Sequence, residues 1–402
     1  MSAEPNLLEK VARTWVCMAS AYYLYDLLSL FIQSGLSTAD GRAFGEDFIN
    51  YYSGAWLAWH GHAADVYRLP VYHAFQESVA GPTVGFYLYI YPPLAMLLAG
   101  PFAALPYVPA LFAWLSSSWY CFYRALRLAM PGRKALLLAL ATPALFVSAR
   151  AGQNGAWTAA FIGGGLCLLD RRPIIAGILF GLQIYKPHLG LLIPVALLAG
   201  RQWRAFLAAA ITGVLLVAAT VALFGLDAWR EFANIAPALP QNVLKGTLSW
   251  HRIVSVFMFA RSLGADLAVA YTVQAMSGLI AVAMVAVAWY RNAPAPIRNT
   301  LLVLGTLLTS PYVLDYDLVV GTFVAAWLTN RAVMSLSMTR PANIAAGLVL
   351  LAPILAGFLG KLTGLQLGPL FFIPAFVMAA WLIPWRRSTE PGGAIPSASP
   401  AE

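Results

Sequence analysis

The chain has 402 residues, of which 60% are hydrophobic and 10% charged, and it carries a formal net charge of +9. A soluble fold of this composition would expose far more apolar surface than water tolerates, so the chain reads as an all-α polytopic membrane protein without a sizeable soluble domain. The positive charge does not mark nucleic acid as a partner, because Lys and Arg fall in small clusters between apolar runs, the distribution that fixes orientation in a bilayer.

Residues 14–36 form the first predicted span, with Lys10 and Arg13 ahead of it and no small-residue cleavage site. That pattern predicts an uncleaved anchor whose N-terminus is cytoplasmic. Residues 37–85 then form the first extracytoplasmic loop, the most polar stretch outside the termini, with Asp40, Glu46, Asp47, His60, His62, Asp65, Arg68, His73 and Glu77. If residues 44–59 are helical, Phe48, Tyr52, Ala55 and Trp59 make an apolar stripe suited to the bilayer surface, with Asp47 and Tyr51 on the neighbouring face. A carboxylate at the water boundary can take a proton from an incoming hydroxyl. The alternative is that Glu46 and Asp47 only cap a surface helix.

Further apolar segments fall at 86–105, 107–129, 134–149, 155–169, 173–185, 188–200, 204–224, 265–290, 298–313, 314–329, 342–359 and 368–385, several too short for an unbroken crossing. About twelve spans satisfy the charge pattern and thirteen do not. Pro92, Pro93, Pro101, Pro106 and Pro109 make 91–109 the natural re-entrant or half-crossing segment, the other solution being a short pair elsewhere that fails to cross. The basic connections at 124–134, 171–172, 201–204, 291–298, 331–340 and 386–387 belong in the cytoplasm. They alternate with 150–155, 185–188, a second large loop at 225–264, and 310–317, which puts every motif-like connection on the face of Asp47. Residues 1–387 thus read as one transmembrane domain, followed by a disordered Pro/Ser/Ala/Gly tail, 388–402.

On that outer face Lys186 lies between two apolar runs, where an ammonium is costly unless it meets an anion or water. With Arg150 and His188 it forms a candidate basic cluster for a phosphate, snorkelling being the alternative. Gln153 and Asn154, between Gly152 and Gly155, can read hydroxyls or clamp helices together. Asp315 and Asp317 flank Tyr316 and can bind sugar hydroxyls, pair with the basic cluster, or cap a helix. The Trp250-His251-Arg252 loop, with Lys245 ahead of it, is basic and suits an anionic headgroup. His60, His62 and His73 lack metal-ligand spacing and no nucleotide-binding loop is present, so neither metal nor cofactor is expected.

The ordered set Glu46-Asp47-Phe48 with Tyr51-Tyr52, Tyr91-Pro92-Pro93-Leu94, Gly152-Gln153-Asn154-Gly155, Lys186-Pro187-His188, Ser310-Pro311-Tyr312 and Tyr316-Asp317 resembles glycosyltransferase family 87, the polyprenol-phosphate-mannose-dependent α-mannosyltransferases of the GT-C superfamily. The resemblance covers about 40–330. It implies a GT-C membrane fold in the cytoplasmic (inner) membrane, a polyprenyl-phosphate sugar donor, a lipid or glycan acceptor, and catalysis facing the periplasm or exterior. It makes Asp47 the general base of an inverting hexosyl, mannosyl above all, transfer. Lys186, Arg150 and His188 are then expected on the donor phosphate, and Glu46, Tyr51, Tyr91, Gln153, Asn154, His251, Asp315 and Asp317 on sugar and acceptor. A flippase or transporter of a lipid-linked sugar is the competing class, and a non-catalytic scaffold a third; a carrier would gather its polar residues near the midplane.

Overall fold

The computed structural model describes residues 7–32, 35–130, 132–237, 250–330 and 336–385. Lys245, Arg386, Arg387 and the expected tail lie outside these residues, as does part of the basic connection at 331–340. The described residues hold no strand, only two isolated antiparallel bridges, Ser37 to Ala43 and Ile253 to Leu314. The α-helices are α1 (Leu7–Ile32), α2 (Phe48–Trp59), α3 (Leu69–Ala80), α4 (Leu94–Ala103), α5 (Tyr107–Ala129), α6 (Arg133–Ala141), α7 (Pro143–Arg150), α8 (Gly155–Leu168), α9 (Pro173–Leu182), α10 (Leu192–Ala199), α11 (Trp203–Ile235), α12 (Val256–Ser262), α13 (Leu267–Tyr290), α14 (Ala295–Thr309), α15 (Gly321–Leu328), α16 (Thr339–Thr363) and α17 (Gly368–Trp381).

Three of these, α11, α13 and α16, are long and apolar enough to cross a membrane. Most other expected spans are shorter or broken. Residues 86–93 are not helical, and α4 with its ten residues rises only about 15 Å, half of a hydrocarbon core of roughly 30 Å. It meets α5 at a bend of 118°. Pro106 precedes the first residue of α5, and proline fits a helix start while it disfavours helical backbone at the residue before it. The expected span 134–149 divides into α6 and α7 where Thr142 turns extended ahead of Pro143. The expected spans 298–313 and 314–329 likewise become α14, an extended Ser310, a 3-10 turn at Asp315–Val320, and the short α15.

The second large loop is partly helical. α11 runs past the predicted end at 224 through a break at Gly225, whose φ of 79° suits glycine. Its continuation packs on the first outer loop: Arg68 pairs with Glu231 at 2.8 Å, and the rings of Tyr67 and Phe232 lie 5.8 Å apart. Residues 65–68 and 226–235 therefore pack together.

The expected surface helix is instead a core helix. α2 buries Phe48, Tyr52 and Ala55, the stripe assigned to the bilayer, together with Ile49, Asn50, Tyr51, Ser53, Gly54, Leu57 and Ala58; Trp59, at the far end, is half exposed. The reason is an aromatic shell. Tyr51 stacks on Trp114 of α5 with centroids 5.1 Å apart, Phe48 lies 5.5 Å from Tyr107, and the Tyr89 ring occupies the space beside Gly54 where a Cβ would stand. Each such ring pair adds about 0.5–1.5 kcal/mol beyond the area it buries. An apolar stripe meets protein here where the sequence pattern equally suits lipid.

Candidate active site

Asp47 stands at the N-cap position of α2, and its side chain makes no cap hydrogen bond. Its carboxylate is turned away from the helix end, and Oδ2 accepts a 2.7 Å hydrogen bond from Nε2 of Gln153. The main chain enforces this direction: Asp47 N donates to the carbonyl of Ala151 at 3.2 Å, and Glu46 before it takes the left-handed region at φ 44°, uncommon for a side-chain-bearing residue. The approach of the two segments explains the first glycine of Gly152-Gln153-Asn154-Gly155. Gly152 has φ 61°, and a Cβ there would collide with the Gly45 carbonyl oxygen and the Phe48 side chain. A Cβ on Gly155 would run into the carbonyl oxygen of Tyr316. Burial raises the Asp47 carboxyl above its ordinary range, while the Gln153 hydrogen bond and then Arg252 pull it back.

From Gln153 a chain of hydrogen bonds leads inward. The Tyr51 hydroxyl lies 2.7 Å from Gln153 Oε1 and 2.5 Å from the Tyr91 hydroxyl, and it accepts from Asn154 Nδ2 at 2.8 Å. Asn154 Oδ1 in turn accepts from the Lys186 ammonium at 3.1 Å. The ammonium also donates to Asp317 Oδ1, and Asp317 Oδ2 accepts from Leu314 N at 3.1 Å. Asp47, Tyr51, Tyr91, Gln153, Asn154, Lys186 and Asp317, seven of the expected site residues, form one connected network.

The structure corrects the expected basic cluster of Arg150, Lys186 and His188 by giving two of its members separate acidic partners. Lys186 and Asp317 are 3% and 0% exposed and neutralise each other, so Lys186 is not an uncommitted charge. Arg150, more open, lies 3.9 Å from Glu46 and over the ring of Tyr22, which itself donates to Glu46 at 3.4 Å. His188 sits in the 3-10 turn Pro187–Leu189, and its Nε2 has no hydrogen-bond partner among the described residues. Asp317 takes both the pairing and the capping alternative, meeting Lys186 and the Leu314 amide, while Asp315 pairs outside the expected cluster, holding Arg252 through Nε at 2.9 Å and Nη2 at 3.1 Å. His251 departs from its expected role; it lies against Gly357 and Gly360 of α16, its carbonyl accepts from Gln366 at 2.6 Å, and the described residues show no hydrogen bond from it to the Asp47 network.

Arg252 and Tyr316 are the residues that sequence reasoning undervalued. The ring of Tyr316 takes two cations, Lys186 Nζ at 4.9 Å and the Arg252 guanidinium at 5.6 Å from its centroid. The signal lay in the alternation Asp315-Tyr316-Asp317, two acids either side of one ring. The antiparallel contact of Ile253 with Leu314, and the bond from Val254 N to Val313 O at 2.8 Å, bring the Arg252 segment to that turn.

Beside Gln153 a cavity of about 580 Å3 opens between α1, α5, α6 and α7, lined chiefly by apolar side chains including Trp15, Leu115, Trp119 and Phe146, with Ser116, Ser118, Ser148 and Gln153 as its small or polar members. One glutamine thus borders both the apolar space and the Asp47 carboxylate. The arrangement offers a partly open base, cations nearby, and room for a long apolar group.

The chain is 31% identical over 164 residues to an alpha-(1->3)-arabinofuranosyltransferase of Mycobacterium tuberculosis, in strains CDC 1551 / Oshkosh and ATCC 25618 / H37Rv alike. The alignment covers 37% of this chain, which spans 37% of the length of the curated relatives it matches. No solved structure matches the chain significantly. The sequence model of glycosyltransferase family 87 matches residues 89–311, more than half of the chain and including all of the network except Asp47, Tyr51 and Asp317, and the protein belongs to that family of membrane glycosyltransferases.

Proposed function

We propose that the protein moves a sugar from a polyprenyl-phosphate donor to the hydroxyl of a lipid or glycan acceptor on the extracytoplasmic face of the inner membrane, with inversion at the anomeric carbon and Asp47 as general base. The observation that carries this reading is the Asp47 carboxylate, which occupies a cap position without capping and is held by one amide with part of its surface open. One base and in-line attack suffice for inversion, in contrast to the paired carboxylates of most glycoside hydrolases. The leaving phosphodiester departs with its charge formed, so it needs cations more than a proton donor. Arg150 is the more exposed candidate for that role. Lys186, paired with Asp317 and with His188 near it in sequence, holds the network together through Asn154. Gln153, Tyr51, Tyr91 and Asn154 orient the base and supply hydroxyl-reading groups, with Glu46 beside them and Asp315 and Asp317 holding Arg252 and Lys186 in place. The apolar cavity that Gln153 borders suits the isoprenoid tail.

The expected sugar is a hexose such as mannose, and the name of the mycobacterial relative adds arabinofuranose to the donors worth trying. Purified protein incubated with mannosyl- and arabinofuranosyl-polyprenyl phosphates and a lipid extract of the source should yield a glycosylated product identified by mass. Asp47→Asn should lower transfer on the order of 100-fold or more while keeping donor binding, since the amide keeps the shape and loses the basicity. Transfer within about threefold of wild type would remove Asp47 from the base role.

A further inference from the structure

We propose that Arg252, pre-set by Asp315 and the ring of Tyr316, binds the phosphate of the lipid-linked donor, with the more exposed Arg150 as a second cation; the proposal rests on the functional reading above. A phosphodiester needs a cation that is held in place and still has donors to give. Lys186 is 3% exposed and spends its charge on Asp317, with a further bond to Asn154. Arg252 differs on both counts.

Its side chain is 19% exposed, and the bidentate contact with Asp315 uses Nε and Nη2 only. Nη1 makes no hydrogen bond within the described residues, so the edge of the guanidinium away from Asp315 keeps its N–H groups for a ligand. A planar fork fixed on one side by a carboxylate loses little rotamer freedom when a phosphate takes the other side. The guanidinium also stands close enough to the base to be felt there: it is among the charges that draw the Glu46 and Asp47 carboxyls down against their burial. Arg150 and Arg42 also act on Glu46, whereas Arg252 is the arginine felt by both Glu46 and Asp47. Asp315 is then a positioning residue, whose loss frees the arginine to wander.

The test measures binding to the full-length protein of polyprenyl phosphate without sugar, and of neutral polyprenol as control. Arg252→Gln should weaken binding of the phosphorylated lipid roughly tenfold or more, the scale of a charge-assisted hydrogen bond, and leave the neutral lipid unchanged. Arg252→Lys should restore part of the loss, because charge returns without the fork. Asp315→Asn should weaken phosphate binding less than Arg252→Gln does. If Arg252→Gln does not fold because Asp315 is left unpaired, the double change Arg252→Gln with Asp315→Asn removes both charges, and the same loss is expected of it. Phosphorylated-lipid binding within about twofold of wild type in the folded variant overturns the role of Arg252, and continued sugar transfer by that variant would leave the glycosyltransferase reading standing. Equal binding of the two lipids by the wild-type protein would overturn both.

Discussion

Replacing Lys186 by Met tests whether the buried ion pair is the keystone of the network. Lys186 and Asp317 are almost entirely buried, and the described structure offers Asp317 no second cation in hydrogen-bonding contact, only the Leu314 amide and the lysine. Methionine keeps the length of the side chain and deletes the charge, leaving a buried carboxylate without its counter-ion. Breaking a buried pair by removing one partner costs about 3–5 kcal/mol, whereas replacing both partners with apolar groups of similar volume is often close to neutral. Lys186→Met and Asp317→Leu should therefore each lower the stability of the detergent-solubilised protein by about that amount, and the double variant should recover most of it, so that the coupling exceeds the cost of either single change. Equilibrium unfolding of the four proteins in one mixed-detergent titration gives the cycle. A single-variant cost under about 1 kcal/mol, or a double variant as damaged as the sum of the singles, would refute the pairing. The same series separates architecture from catalysis: a double variant that is stable and still transfers sugar would show that Lys186 serves the fold alone.

Three further outcomes follow from the geometry. Asp47 must be deprotonated to accept a proton; burial raises its pKa and the Gln153 amide lowers it, so Gln153→Leu should move the acid limb of kcat/KM to higher pH, with activity partly regained in alkaline buffer. An unmoved limb would show that the amide does not tune the base. Gly155→Ala forces a Cβ against the Tyr316 carbonyl and should cost about 1–3 kcal/mol or block folding, read by thermal unfolding, whereas Gly347→Ala, where the added Cβ meets nothing, should be near neutral. Accessibility tags near Asp65 should react from outside and near Arg291 only from the cytoplasm; external access at 130–133 would mean that the positive-inside rule fails at that connection.

The helical membrane class was legible because 60% hydrophobic composition in long runs has few other solutions. The motif positions were legible as well: residues 150–155, 185–186 and 310–317, read as one face from charge alternation, meet in one hydrogen-bonded network with Asp47. Which cation meets which acid was not legible. Arg150, Lys186 and Arg252 carry the same charge on similar stems, and their partners are chosen by backbone approach between segments more than 60 residues apart, about which periodicity is silent. The burial of α2 was hidden for a related reason, since an apolar stripe at helical spacing serves a lipid surface and a protein wall equally well. The non-helical run at 86–93 and the bend after it were half visible, through the prolines.

The glycine contacts at 152 and 155 also bear on how this scaffold can change. Three stretches distant in sequence, around Gly45, Gly152 and Tyr316, touch main chain to main chain, so the distance from the base to the paired acids is set by backbone in contact with backbone. Side chains lining the cavity beside Gln153 can be exchanged without disturbing that distance. Adding or deleting one residue in any of the three stretches cannot. New substrates should therefore be acquired through the cavity walls and the outer loops, while the lengths of these three short segments stay fixed, and engineering for a different lipid or sugar has most freedom where the chain does not meet itself.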